Sequence, residues 1–158
     1  GAKPSLYQDT ARILARAVKQ AETLQDLRAQ AYALTQLGNL YEQTFQLSEA
    51  LKLSQQALRI AQNTNASDIT YQAAWQIGRI LKTQGKTTEA IAAYDSSIKT
   101  LKTLRSDLVA INRDVQFNFQ ESVEPVYREF IDILLQPKSK QFPKKISKWH
   151  VKPSKHCN

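Results

Sequence analysis

A single offset most constrains what this chain can fold into. Leu37-Gly38 returns as Ile77-Gly78, and Tyr41 returns as Leu81. Glu49-Ala50-Leu51 returns as Glu89-Ala90-Ile91, and Ala57-Leu58 as Ser97-Ile98. Each return comes forty residues later. A fixed offset in this range marks a repeat array, whose units bury their apolar faces by stacking on one another. Within a unit the apolar positions recur at helical spacing, so residues 37–58 read as two amphipathic helices with a tight turn at 43–47. Gly38, Gly78, Ala50 and Ala90 have almost no side chain, so a partner helix can approach closely there. Leu37, Tyr41, Leu53 and Leu58 then fill the seam.

This pattern resembles the tetratricopeptide repeat (TPR). The first unit supplies Leu34, Leu37, Gly38, Tyr41, Ala50 and Ala57, with Ser54 where the family has an aromatic. The second supplies Ile77, Gly78, Leu81, Ala90, Tyr94 and Ser97, with Gly85 at the turn between its helices. The resemblance implies an all-α fold, a right-handed α-α superhelix of TPR-like helical hairpins. Neither unit has the family's closing proline. The period is longer than the family's common one, which predicts an extended second helix or inter-repeat loop.

Taken in order, the chain divides into a repeat domain over 1–136 and a tail over 137–158. The domain begins with helix 5–25. Shifted by forty, its Ile13, Ala17, Val18 and Ala21 fall on Leu53, Ala57, Leu58 and Ala61. That helix reads as the second half of a partial repeat, as if the chain were cut from a longer array. Complete repeats follow over 27–63 and 68–106. Ser48 is the expected N-cap inside the first repeat, and Thr87 or Thr88 inside the second. Residues 63–68 are a polar connector. Val115, Phe117 and Phe119 alternate with polar residues, and an irregular or single-turn segment is expected there. A capping helix over 122–135 closes the domain, with Pro125 in its first turn. Its expected apolar face is Val126, Phe130, Ile133 and Leu134.

A second resemblance rests on three runs. These are Leu104-Arg105-Ser106-Asp107-Leu108-Val109, Asn112-Arg113-Asp114-Val115-Gln116-Phe117, and Glu121-Ser122-Val123-Glu124-Pro125-Val126-Tyr127-Arg128-Glu129. Together they resemble the junction in bacterial CHAT proteins, where TPR repeats precede a caspase-like peptidase domain. The resemblance implies the repeat region of such a protein without its peptidase domain.

The formal charge of +8 is unevenly placed. Residues 137–158 hold seven lysines and no acid, so the remaining residues carry only +1. A basic arm with Phe142 and Trp149 would suit nucleic acid or an acidic surface, and this is one alternative function. The tail shows no amphipathic period, however. With suitable codons, residues 140–158 read in a neighbouring frame as an amphipathic helix. The tail is therefore expected to be a frameshift product, and nucleic acid is not the expected partner.

Chemistry is not expected. His150, His156 and Cys157 sit a few residues apart, with no fourth ligand and no fold to hold them as a catalytic pair. No glycine-rich phosphate loop is present. No apolar run approaches the roughly 20 residues of a membrane span. The chain reads as a cytoplasmic, non-catalytic scaffold with no cofactor and no metal.

What remains is binding of a protein or peptide. In a TPR array the first helix of each unit lines a concave groove. One turn apart on that face are Tyr32, Thr35, Asn39 and Glu42, then Gln72, Trp75, Arg79 and Lys82. Asn39 and Arg79 match positions where chaperone-adaptor TPR proteins grip a peptide carboxylate. Independently, Trp75 offers apolar area and Arg79 a forked donor suited to carboxylates. Acidic peptides are therefore the probe for Arg79, and the sequence names no particular partner. The alternative is a homodimer that covers the end helices of the array.

Overall fold

A computed structural model describes residues 3–109 and 113–136. The described residues form six helices and no strand. They are α1 (Lys3–Thr23), α2 (Leu27–Gln43), α3 (Leu47–Asn63), α4 (Ser67–Thr83), α5 (Thr87–Val109) and α6 (Arg113–Leu135). Each helix packs on its chain neighbours, and α2 also touches α4. The result is an all-α, TPR-like array of hairpins, the class expected from the offset.

The turns explain the long period. Gln25, Phe45, Asn65 and Gly85 all have positive φ, and they stand twenty residues apart. In each of these four turns the residue after the left-handed position donates its N–H five residues back. Asp26 reaches Ala21, Gln46 reaches Tyr41, Ala66 reaches Ala61 and Lys86 reaches Leu81. The left-handed residues themselves donate to Glu22, Glu42, Gln62 and Lys82. This is the Schellman termination, which satisfies the last carbonyls of a helix. The forty-residue period is thus two equal helix-turn units. Helices α2, α3 and α4 have 17 residues each, so the extra length is shared, not held in one helix or loop.

Several local expectations are corrected. Asp26 caps α2 by accepting from the Ala29 N–H at 2.9 Å. The N-cap of α3 is Gln46, and Ser48 lies one residue inside that helix. The polar connector shrinks to 64–66, since α3 runs to Asn63 and α4 starts at Ser67. The last helix begins at Arg113 instead of 122, so Val115, Phe117 and Phe119 are helical. Pro125 therefore sits in the helix interior, where its missing N–H forfeits a bond to the carbonyl four residues back. Burial offsets that loss, because Val123, Val126 and Ile133 are all buried against the second repeat. Leu134 is 51% exposed and lies outside that stripe. The tail over 137–158 lies outside the described residues.

The small residues act as expected. Ala50, Ala57, Ala90 and Ser97 are completely buried. A Cβ on Gly78 would stand 2.9 Å from the Tyr94 ring. One on Gly38 would stand 2.6 Å from Gln76 Nε2 and 2.9 Å from Ser54 Oγ. Ser54 replaces the usual aromatic because Gln76 of the next unit fills that space. The Gln76 amide donates to Ser54 Oγ at 2.7 Å and to the Thr35 carbonyl at 3.3 Å. Ser97 Oγ likewise donates to the Tyr71 carbonyl at 2.8 Å. Arg28 and Asp68, forty residues apart, form a forked ion pair across α2 and α4. Both are largely exposed, so the pair stabilises the array little.

Candidate functional site: a cleft between α2, α4 and α6

Helices α2 and α4 are the first helices of the two complete units, and their facing sides leave two adjoining hollows. The larger, about 510 Å³, is lined on α2 by Asn39 and Glu42 and on α4 by Trp75 and Arg79. The α2–α3 turn adds Phe45, and α6 adds Pro125 and Glu129. The second hollow shares Asn39, Trp75 and Arg79 and extends to Gln36, Gln72 and Ser122.

A chain of polar contacts crosses the cleft. Arg79 Nε donates to Glu42 Oε1 at 2.8 Å, and Nη2 donates to Oε2 at 2.7 Å. The Arg79 guanidinium carbon lies 4.6 Å from the centroid of the Trp75 ring, within cation–π range. Trp75 Nε1–H donates to Glu129 Oε2 at 2.7 Å. The Tyr94 hydroxyl donates to the same oxygen at 2.9 Å. One carboxylate of α6 thereby ties the second repeat to the cleft wall. Burial pulls the Arg79 proton affinity down, but the bonds and charge of Glu42 outweigh it, and the guanidinium pKa is raised. The Tyr94 hydroxyl is also pushed above its ordinary range, first by burial and then by its bond to Glu129.

The Tyr94 shift predicts a pH dependence. A raised folded-state pKa means that the unfolded chain releases this proton first. The stability involved is present below about pH 10, the ordinary tyrosine value, and is lost as pH rises above it. The slope from this one group is up to about 1.4 kcal/mol per pH unit. Urea unfolding at pH 9 to 11 should therefore show a steeper alkaline loss for the wild-type chain than for Tyr94→Phe. Parallel curves for the two would refute the assignment.

The structure brings Asn39, Glu42, Trp75 and Arg79 into one wall. Thr35 and Gln72 reach the second hollow, but Thr35 is buried and its hydroxyl donates to the Ala31 carbonyl at 2.8 Å. Tyr32, 54% exposed, lines neither hollow, and Lys82 lines neither. Arg79, expected as a free fork for a ligand carboxylate, already has both oxygens of Glu42. Sequence reasoning missed Phe45, Pro125 and Glu129. Phe45 carries no turn signal, since a left-handed position favours Gly or Asn. The two α6 residues enter through the docking of that helix, which no local pattern encodes.

Residues 29–103 match a family model described as tetratricopeptide repeat. The match spans nearly all of α2, the whole of α3 and α4, and most of α5. No curated protein and no solved structure matches the chain significantly. Among the described residues no helix is long and apolar enough to cross a membrane, and no group of side chains could hold a metal ion.

Proposed function

Taking residues 29–103 as tetratricopeptide repeats, we propose that this chain is an interaction module. It holds a peptide or protein segment in the cleft between α2 and α4, and it acts as a scaffold, not a catalyst. Repeats of this family generally mediate protein–protein interaction. The observation that carries the reading is an apolar surface the fold does not bury. Phe45 is 80% exposed at the mouth of the cleft, beside a half-buried Trp75. Exposed aromatics next to a polar rim are the usual anchors of an interface. The resemblance of residues 104–129 to the CHAT junction supports a finer assignment, in which the module recruits or regulates a CHAT-type peptidase.

A photo-crosslinking amino acid tests the groove. Placed at Gln72 it stands in the cleft, and placed at Arg59 it stands on the exposed face of α3. Offered a random pool of ten-residue peptides, the Gln72 site should form adducts and the Arg59 site should not. Equal labelling at both, or none at Gln72, would remove the cleft from consideration.

A further inference from the structure

We propose that the segment held in the cleft is cationic, presenting a lysine or arginine beside an apolar side chain. This rests on the cleft being the binding site. It reverses the sign that Arg79 taken alone suggests, since a guanidinium fork suits carboxylates. Arg79 is not a free fork for that role, because Glu42 takes its Nε and one Nη2 hydrogen with both carboxylate oxygens and balances its charge. That pair is only 25% and 17% exposed, so a carboxylate approaching the remaining Nη1 donors would stand beside Glu42 in a partly dehydrated wall, where like charges repel.

The second carboxylate decides the balance. Glu129 Oε2 accepts from Trp75 and from Tyr94, both neutral donors. Among the described residues no lysine or arginine lies within ion-pair distance of Glu129. Among the described residues, the charged groups lining the larger hollow are therefore two carboxylates and one guanidinium. Lys82 does not enter that count, since it lines neither hollow. The charges acting on Tyr94 are likewise those of Glu129, Arg79 and Glu42. An anionic segment meets net negative charge here, where reduced dielectric magnifies repulsion. A cationic one gives Glu129 a counter-charge in ion-pair contact, where Arg79 acts on it only from beyond that distance, and leaves the Glu42–Arg79 pair intact. Its methylene stem can lie along Trp75 and Phe45, as long basic side chains do on apolar surface.

The test selects ten-residue peptides from a random phage-displayed library on the full chain. The seven lysines of residues 137–158 attract acidic peptides on their own account, so binders that also hold to Phe45→Ser and Trp75→Ala chains are discarded. Phe45→Ser alters a side chain that is 80% exposed, so it keeps the fold even if Trp75→Ala does not. The surviving peptides should be enriched in Lys or Arg next to an apolar residue. Their affinity should fall roughly two- to five-fold on Glu129→Gln, the range for one partly exposed ion pair. Glutamine keeps an oxygen for Trp75 and Tyr94, so this variant removes the charge and spares the packing. Survivors enriched in Asp or Glu, or indifferent to Glu129→Gln, would overturn the cationic assignment and leave the cleft as a site. No survivors at all would overturn both.

Discussion

Tyr94→Ala should cost about 3–5 kcal/mol, the range for deleting a buried aromatic. Tyr94 is completely buried, its ring faces Gly78, and it lies 6.2 Å from the Phe130 ring of α6. Its hydroxyl also holds Glu129 at 2.9 Å. Alanine would leave a void where α4, α5 and α6 meet. It would also cut one of the two bonds that fasten Glu129. Tyr94→Phe keeps the ring and should cost only about 1–2 kcal/mol, the worth of a hydrogen bond to a charged group that retains a second donor. Urea unfolding followed by far-ultraviolet circular dichroism separates the two. A loss below about 1 kcal/mol for alanine would mean that the ring is not the keystone of this junction. If the cleft charge depends on α6, Tyr94→Ala should also weaken binding of any peptide sensitive to Glu129.

Gly78→Ala is the second large effect, expected to cost about 1–3 kcal/mol by overpacking. In an exposed helix the same change would stabilise by roughly 0.5–1 kcal/mol, because alanine loses less backbone entropy. Here the new methyl meets three ring carbons of Tyr94 at 2.9 to 3.2 Å. The ring cannot retreat easily, since it is fully buried and its hydroxyl is tied. Gly38→Ala poses a different problem at the equivalent site. Its methyl meets the tip of the Gln76 side chain, which can swing away, and also the buried Ser54 Oγ at 2.9 Å, which is tied to the Ala50 carbonyl. Swinging away breaks the bonds to Ser54 and Thr35, both buried. The expected cost is again about 1–3 kcal/mol, now as lost hydrogen bonding. The paired variant Gly38→Ala with Gln76→Ala distinguishes the two. It should recover part of that loss, whereas no single truncation short of Tyr94 itself relieves Gly78→Ala. Stabilisation by Gly78→Ala would show that the two helices do not approach as closely as the contact requires.

The cleft and the fold differ in how readily they could be read from the chain. Leu37-Gly38 and Ile77-Gly78 announce close helix approach because only a missing Cβ permits it, and both glycines do sit at such contacts. The forty-residue offset announced the array because stacking units must repeat their apolar positions. The turn chemistry was half legible. Asn65 and Gly85 are residues that accept a left-handed conformation, while Gln25 and Phe45 adopt it without any local sign. Those two are held there by the 4- and 6-residue hydrogen-bonded loops that close α1 and α2. The start of α6 is not legible in the sequence, because alternating apolar residues at 115, 117 and 119 have the period of a strand.

The sequence by itself determined the kind of molecule: period, helix faces and small residues are local or near-local properties, and each is written in side-chain size and spacing. Only the tertiary structure decided the character of the cleft. Whether Arg79 is free or spent depends on Glu42, 37 residues away, and the sign of the wall depends on Glu129, 54 residues from Trp75. Electrostatic balance follows distance in space, and no spacing along the chain records which carboxylate a folded helix will deliver to a given arginine.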